Sequence, residues 1–294
     1  MNKQHVGVLF GLAAFLAWGF LPAYWKQLQD VTPFEILCHR IVWSCLFLCM
    51  IIGIQKRWAE VTQIVRDPGD RIKLCGSGLL IAGNWFVYIW AVNSDHVVET
   101  SLGYYISPMI NVAIGFLLLR ERFSRLQSSA LLFATAAIGY SLIIYGKPPL
   151  FALTLAFSFG FYGYARKKIS VAPIPGLLVE TCVLFIPALG YLLYRQYCSE
   201  SLFGHQLAIS LWLIGSGIVT SLPLLWFAAA TRNLKLSTVG IMQYLAPTIA
   251  FALGVFVYQE PFDQHNVVTF ILIWVGVIVF CIDTILRSRH PLSK

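Results

Sequence analysis

One segment of this chain occurs twice, and the duplication limits the architectures that the chain can adopt. The first copy, SLGYYISPMINVAIGFLLLRERF, covers residues 101–123, and the second, GIMQYLAPTIAFALGVFVYQEPF, covers residues 240–262. A constant offset of 139 residues relates the matching positions: Tyr105 and Tyr244, Pro108 and Pro247, Gly115 and Gly254, and Glu121 and Glu260. Because this offset is nearly half of the 294-residue chain, we interpret it as a duplication of the whole architecture and not as a short solenoid repeat.

Each copy is an apolar run with a proline near its centre. A run of about 20 apolar residues crosses the ~30 Å hydrocarbon core of a membrane as a helix. Proline removes one backbone hydrogen bond and frees a carbonyl, which lipid tolerates only where protein or a water-filled cavity satisfies it. Pro108 and Pro247, with Pro223 in the preceding apolar run, are therefore predicted to be helix breaks that face the protein interior. A kink that serves only helix–helix contact is the alternative.

The composition places the chain among membrane proteins, because 58% of its residues are hydrophobic and only 12% are charged. The net charge of +8 does not indicate a nucleic-acid partner, since the basic residues are dispersed among the connections. The seven cysteines include no C-x-x-C pair, so the sequence predicts no metal site, cofactor or disulfide framework. The H-E-x-x-H, G-x-S-x-G and P-loop motifs are also missing from the sequence, so we do not expect an enzyme.

Ten apolar segments are predicted to cross the membrane, which makes the chain an all-α integral membrane protein. Their approximate bounds are 5–25, 34–54, 73–93, 100–119, 127–146, 149–165, 174–194, 207–230, 236–258 and 266–286. The first segment resembles a signal peptide in outline, but its length and the nine segments that follow favour an uncleaved span.

The distribution of Lys and Arg predicts how the chain is oriented in the membrane. With the N-terminus in the cytoplasm, 17 of the 21 basic residues fall in cytoplasmic connections or termini. Only Lys26, Lys147 and Arg195 fall in connections on the outer side of the membrane, and Arg40 lies within a span. This bias predicts ten spans with both termini cytoplasmic.

The repeat and the orientation together predict an inverted architecture. The first half, residues 1–147, and the second half, residues 148–294, each hold five predicted spans. Because five is odd, the second half enters the membrane from the side opposite to the first. Inverted repeats of this kind are typical of secondary transporters, in which they give one fold two nearly equivalent states.

Among the titratable side chains within the predicted spans, four stand out: Glu35, His39, Arg40 and Glu180. An ionised side chain near the bilayer centre costs ~2.5–3.5 kcal/mol on insertion scales, so each of them needs an explanation. We interpret all four as candidates for proton coupling or gating. An interfacial position for Glu35 and a snorkelling Arg40 are the alternatives. Glu180 is expected to be protonated, paired with a residue of another helix, or placed in a water-filled cavity.

Polar and aromatic residues recur on the third, fourth, eighth and ninth segments. Tyr104, Pro108, Asn111 and Gly115 follow at steps of four, three and four, which is typical of one helix face. The predicted lining of a substrate cavity consists of Asn84, Trp85, Tyr88, Tyr104, Asn111, Trp226, Gln243 and Tyr244. Such a lining suits molecules with an apolar body and a few hydrogen-bonding groups. For the amides, a bond that joins two helices, typically worth about 0.6 kcal/mol, is the alternative.

Several stretches resemble a known family. EILCHRIVWS (35–44), GNWFVYIWAVN (83–93), TSLGYYISPMINVAIGFLLLRERF (100–123) and AFSFGFYGYARKKI (156–169), with the second copy of the repeat, are similar to the RarD family. That family belongs to the drug/metabolite transporter superfamily, whose members carry EamA-type repeats. The resemblance covers essentially the whole chain. It implies a permease of the bacterial inner membrane whose third, fourth, eighth and ninth helices line a central cavity.

These observations predict a secondary transporter, and more specifically an exporter of small organic metabolites or drugs that works by alternating access. An uncoupled facilitator or channel is the first alternative, although a pore normally shows charged or carbonyl rings. A membrane-bound enzyme is the second. The second copy carries Ala250 and Gln243 where the first has Asn111 and Tyr104, so strict twofold equivalence of the site is not expected. The predicted partners are a small-molecule substrate and the lipid bilayer, without nucleic acid, and a homodimer is the candidate assembly.

Overall fold

A computed structural model describes residues 3–119, 124–234 and 236–289, and all regular structure in these ranges is helical. The elements are α1 (Lys3–Gly19), α2 (Leu21–Trp25), a 3₁₀ turn (Lys26–Leu28), α3 (Pro33–Ile54), α4 (Trp58–Arg66), α5 (Pro68–Asn93), α6 (Val97–Leu119), α7 (Arg125–Tyr145), α8 (Leu150–Lys167), α9 (Pro173–Tyr197), α10 (Leu207–Asn233), α11 (Leu236–Met242), α12 (Leu245–Ala252), a π-helical turn (Leu253–Val257) and α13 (Gln264–Arg289). The Glu-x-Phe end of the first repeat copy, residues 121–123, lies outside the described residues.

Helices occupy all ten of the predicted apolar segments. Within the described ranges, six of them are each long and apolar enough to cross a membrane: α3, α5, α7, α9, α13 and residues 207–230 of α10. A seventh span results if α1 and α2, which meet at a bend of 44°, are taken together. Large apolar side chains such as Leu117, Ile143 and Ile186 point outwards, as expected where lipid covers the surface. The prediction of an all-helical, multi-pass membrane protein is therefore confirmed.

Local sequence signals explain where several helices begin and end. Ser124 accepts a hydrogen bond from the backbone N–H of Gln127 at 2.9 Å, and the Gln127 side chain accepts one from the Ser124 N–H at 3.1 Å. This reciprocal capping box starts α7, which ends at Gly146 with φ of +66°. At the start of α5, the Asp67 carboxylate accepts from two backbone N–H groups and Pro68 takes the first helical position.

The predicted ninth span is not one continuous helix. It divides into α11 and α12, with a break at Gln243 and Tyr244, and continues into the π-helical turn. Pro247 lies in the first turn of α12, where backbone N–H groups have no acceptor within the helix. The missing N–H of proline therefore costs no intrahelical hydrogen bond there. By contrast, α6 continues through Pro108 and α10 continues through Pro223. Those two prolines thus remove single hydrogen bonds without ending their helices.

The connection between the second and third predicted spans contains a helix that sequence reasoning left as a loop. This helix, α4, buries Ile64 against Leu74, Ile169 and Val179, while Arg66 is exposed. Arg57 donates to Glu60 through two nitrogens, at 2.6 and 2.7 Å. The charged residues that suggested a loop form the outer face of an amphipathic helix.

The helices enclose two main apolar clusters. The larger surrounds α3, which packs against α5, α9 and α10, and it includes Trp25, Leu48 and Leu178. The second joins α6, α8, α12 and α13. In the second cluster the rings of Tyr105 and Tyr244 stack with centroids 6.2 Å apart and an interplanar angle of 17°. The two equivalent positions of the repeat therefore contact each other.

Candidate functional site

The centre of the larger cluster holds a buried arginine between aromatic rings. Arg40 is only 5% exposed, so it does not snorkel to the surface. Its guanidinium carbon lies 4.1 Å from the ring centroid of Trp85 and 5.3 Å from that of Trp25. Tyr88 and Tyr104, whose rings meet edge to face at 5.7 Å, lie near it. The structure thus brings predicted cavity residues together around Arg40, and we call Arg40, Trp25, Trp85, Tyr88 and Tyr104 the Arg40 cluster.

The aromatic faces offset part of the cost of burying this cation. Cation–π contacts contribute about 2 kcal/mol or more when the cation is desolvated. They do not replace hydrogen bonds, because they occupy the face of the guanidinium and its N–H groups point outwards along its edge. In the described part of the chain, Arg40 Nε, Arg40 Nη1 and the indole Nε1 of Trp25 are buried without a hydrogen-bond partner.

Glu35 has its own partners at the end of α9. Its carboxylate accepts from Ser201 Oγ at 2.6 Å and from Arg195 Nη2 at 3.2 Å. Arg195 also donates to Glu200 at 2.6 Å. His39, another of the four candidates for coupling or gating, accepts at Nδ1 from Trp43 Nε1 at 3.3 Å. Sequence reasoning counted Arg195 as an outer connection residue and missed it, because nothing in the chain signals which helices are neighbours.

Glu180 is paired with a residue of another helix, which was one of the three arrangements expected for it. Its carboxylate accepts from Ser77 Oγ at 2.5 Å, Tyr162 OH at 3.3 Å and Arg166 Nη1 at 3.5 Å. Gly176 makes room for the arginine, since a Cβ there would lie 2.5 Å from Arg166 Nη1. The network therefore joins α5, α8 and α9, and we call it the Glu180 network.

The two predicted cavity asparagines occupy different environments. Asn84 is 2% exposed, and its Nδ2 donates to the Leu155 carbonyl at 3.1 Å and to Ser158 Oγ at 2.9 Å. It thereby links α5 to α8. Asn111 is exposed, and a Cβ added to Gly160 of α8 would lie 3.4 Å from its Oδ1. The Asn111 side chain is thus accessible, whereas that of Asn84 is enclosed between two helices.

The remaining predicted site residues lie elsewhere in the bundle. Trp226 is half-buried on α10, Gln243 is half-buried at the break before α12, and Tyr244 belongs to the second cluster. Pro108, Pro223 and Pro247 are buried. Among the described residues, no group of three or more His, Cys, Asp or Glu side chains is placed to hold a metal ion.

A contact that sequence reasoning did not include in the site explains the Gly and Glu of the repeated segment. Glu260 is buried and accepts from the backbone N–H groups of Val97 and Val98, both at 2.7 Å. Gly254 allows this approach, because a Cβ there would lie 2.7 Å from Val98 Cγ2. The carboxylate accepts from two backbone N–H groups that have no acceptor within α6, and its negative charge interacts favourably with the positive end of the α6 dipole. We call this contact the α6 clamp; its sequence signal was the repetition of Glu121 at Glu260.

The α6 clamp continues into a second contact of the same type. Glu99, in the first turn of α6, accepts from the backbone N–H of Phe151 at 2.9 Å and from that of Ala152 at 3.4 Å. Gly103 lets the two helices approach, since a Cβ there would lie 2.8 Å from the Ala152 carbonyl oxygen. The N-termini of α6 and α8 are therefore tied in series to the end of the second repeat copy.

Comparison with known proteins identifies the family. The model of the EamA-like transporter family matches the chain twice, over residues 5–143 and 147–282. Protein RarD of Escherichia coli strain K12 is 42% identical over 290 residues, which cover 98% of each chain. An uncharacterized transporter of Vibrio cholerae is 40% identical over 98% of this chain and 95% of its own length.

More distant matches agree with this. The chloramphenicol-sensitive protein RarD of Pseudomonas aeruginosa is 25% identical over 95% of this chain and 94% of its own length. A solved crystal structure aligns with a TM-score of 0.60 at 19% identity, covering 94% of this chain and 97% of the other, which supports the fold alone. The chain belongs to the EamA-like transporter family, and within the drug/metabolite transporter superfamily it is a RarD-type permease.

Proposed function

We propose that this protein is a secondary transporter that exports small organic metabolites or drugs by alternating access between two inverted repeats. The repeats are residues 1–147 and 148–294, with ten spans in total and both termini in the cytoplasm of a bacterial inner membrane. The observation that carries the proposal is the match of one family model to each half of the chain. A duplicated unit with inverted topology gives one fold two states of similar energy, each open to one side.

Contacts between the two halves support this mechanism. Tyr105 stacks on its repeat equivalent Tyr244, and its hydroxyl lies 2.8 Å from Thr248 Oγ1. The α6 clamp also crosses from the second half to the first. Such contacts can be made in one state and released in the other while each half moves as a rigid unit.

Flux into proteoliposomes tests the proposal. Chloramphenicol is a suitable first probe, because the name of the Pseudomonas aeruginosa relative connects that protein with it. Accumulation of a solute above its external concentration, driven by a pH or sodium gradient and abolished when the gradient is collapsed, is the expected result. Equilibration without accumulation would favour the facilitator. No protein-dependent flux of any solute in a broad panel of drugs and metabolites would contradict transport.

A further inference from the structure

We infer that Arg40 is the recognition site for an anionic group on the transported molecule, and that the substrate class is small organic carboxylates with an aromatic or apolar body. This inference deepens the proposed function and rests on it. It starts from the three buried donors of the Arg40 cluster, Arg40 Nε, Arg40 Nη1 and Trp25 Nε1, which have no acceptor in the described part of the chain.

The buried carboxylates of the described residues are all engaged elsewhere. Glu35 binds Ser201 and Arg195, and Glu180 belongs to its own network. Glu260 forms the α6 clamp, and Asp283 accepts from Ser124 at 2.6 Å. Among the described residues, Arg40 is buried, at 5% exposed, whereas Lys26, whose side chain is 7% exposed, is paired with Asp95. The fold thus holds a cation at its centre without giving it an internal counter-ion.

The unmet groups define the chemistry of the ligand. All three are donors, so the missing partner supplies acceptors, and the guanidinium adds a positive charge. A buried donor without an acceptor is costly, and an entering oxyanion would recover that cost. Carboxylates match the planar guanidinium through charge-assisted hydrogen bonds. The rings of Trp85, Tyr88 and Tyr104 then offer the ligand's body an aromatic surface.

The position of Arg40 along α3 suits a substrate that crosses the membrane. Glu35 of α3 meets Arg195 of α9, whereas Cys45 meets Cys182 with the sulfurs 3.4 Å apart. The two helices are therefore antiparallel, and Arg40 lies between these two levels, about 7–8 Å from each at 1.5 Å per residue. A rival interpretation is that Arg40 is a purely structural cation–π contact, which would make no distinction between charged and neutral ligands.

Ligand titration of the purified protein separates these interpretations. The probes are phenylacetate and indole-3-acetate, each paired with its neutral amide, and binding is followed by thermal shift and by tryptophan fluorescence. We expect the wild type to bind at least one of the two carboxylates at least about tenfold more tightly than its amide. We expect Arg40→Gln to lose most of that preference, and Arg40→Lys to keep part of it. Arg57→Gln, which removes a guanidinium from the surface helix region, is the matched control and should bind as the wild type does.

Several results would overturn the inference. Equal binding of carboxylate and amide by the wild type, or binding of neither, would do so even if Arg40→Gln failed to fold. Unchanged carboxylate binding by a folded Arg40→Gln variant would also overturn it. If sodium chloride alone gave the same response as the carboxylates, the site would be one for inorganic anions. If binding depended on Arg40 but no flux occurred in proteoliposomes, the transport proposal would be contradicted and the anion site would still be supported. If Arg40→Gln transported a neutral solute with an unchanged KM, the anion site would be contradicted and the transport proposal would still hold.

Discussion

Glu180 is one residue whose surroundings fit two different roles. Its carboxylate is 1% exposed, but the side chain of its partner Arg166 is 17% exposed and reaches towards water. A buried carboxylate with a partner that can separate from it can exchange a proton when the cavity opens. A carboxylate that only ties α5, α8 and α9 together through Ser77 and Arg166 has no need to titrate.

The substitution Glu180→Gln is expected to uncouple transport from the proton gradient. Gln keeps the size and can still accept from Ser77, so the variant should fold and exchange substrate across the membrane. The stability loss should fall below the ~3–5 kcal/mol typical of stranding a fully buried charge, because Arg166 is partly exposed. Accumulation with and without a pH gradient is the measurement, and Glu60→Gln, at a carboxylate of the surface helix α4, is the control. Unchanged, pH-dependent accumulation would eliminate Glu180 as the coupling group.

Asn84 and Asn111 are expected to respond in opposite ways to replacement by Leu. Asn84→Leu removes two bonds between α5 and α8 and should cost about 1–3 kcal/mol in thermal unfolding. Asn111→Leu, at an exposed position, should leave stability nearly unchanged and reduce transport. Melting curves and flux measured on the same preparations test the pair. If Asn111→Leu lost stability and kept its transport rate, Asn111 would be a structural residue.

Asp263 is expected to make the connection before α13 sensitive to acid. Hydrogen bonds from Tyr145 OH at 2.6 Å and from the Asn266 N–H at 2.8 Å hold the pKa of its carboxyl below the usual range. A group whose pKa is lowered by folding stabilises the fold above its ordinary pKa of ~3.9, and that contribution disappears as pH falls through the lowered value. The wild type should therefore lose melting temperature more steeply than Asp263→Asn below about pH 4. The effect should be small, since the carboxyl is exposed, and parallel curves would contradict it.

At the scale of helices, the α6 clamp ties the end of one repeat to the beginning of a helix in the other. Two backbone donors of α6 and the positive end of its dipole converge on Glu260. The contact closes only if α6 lies close to Gly254, since the glycine leaves room for Val98. It is therefore suited to stabilise one arrangement of the two halves over another.

The substitution Glu260→Ala is expected to shift the equilibrium towards the state in which the α6 N-terminus is exposed. It leaves two N–H groups without acceptors, at about 1–3 kcal/mol each, which corresponds to a change of about 30-fold or more in population. Maleimide labelling of a cysteine at Ser101, which is buried beside the clamp, should become faster by that factor in a background without native cysteines. Asp95→Asn, a neighbouring exposed carboxylate, is the control. An unchanged labelling rate would show that the clamp does not control access.

The sequence predicted the helices well because their signal is local. An apolar run of about 20 residues favours helical structure whatever its neighbours are, and the repeat shows which runs correspond. The position of the break at Gln243 and Tyr244 was not predictable, since α6 continues unbroken through Pro108, the repeat equivalent of Pro247. Partners of buried charges, such as Arg195 for Glu35, depend on which helices lie side by side. That information resides in the tertiary structure and leaves no pattern along the chain.

At the scale of the whole molecule, two ion pairs lie along α9, one towards each end. Glu180 lies near the beginning of this helix and Arg195 near its end, about 22 Å apart at 1.5 Å per residue. Each takes part in an ion pair with another element, at 3.5 Å to Arg166 and at 3.2 Å to Glu35. Arg40 of the antiparallel α3 lies between the two levels. A central cation with an ion pair on either side is an arrangement in which a solute can be held while one end opens at a time.

The orientation of this arrangement in the membrane is the last prediction. The excess of Lys and Arg in alternate connections predicts that Arg66, on the exposed face of α4, is cytoplasmic and that Glu200, after α9, is periplasmic. A variant without native cysteines is needed, because Cys182 and Cys198 are exposed. A cysteine introduced at position 200 should react with an impermeant maleimide in intact cells, whereas one at position 66 should react only after the cells are opened. Labelling at 66 from outside would reverse the orientation and place the Glu180 network, and not the Glu35 pair, on the periplasmic side.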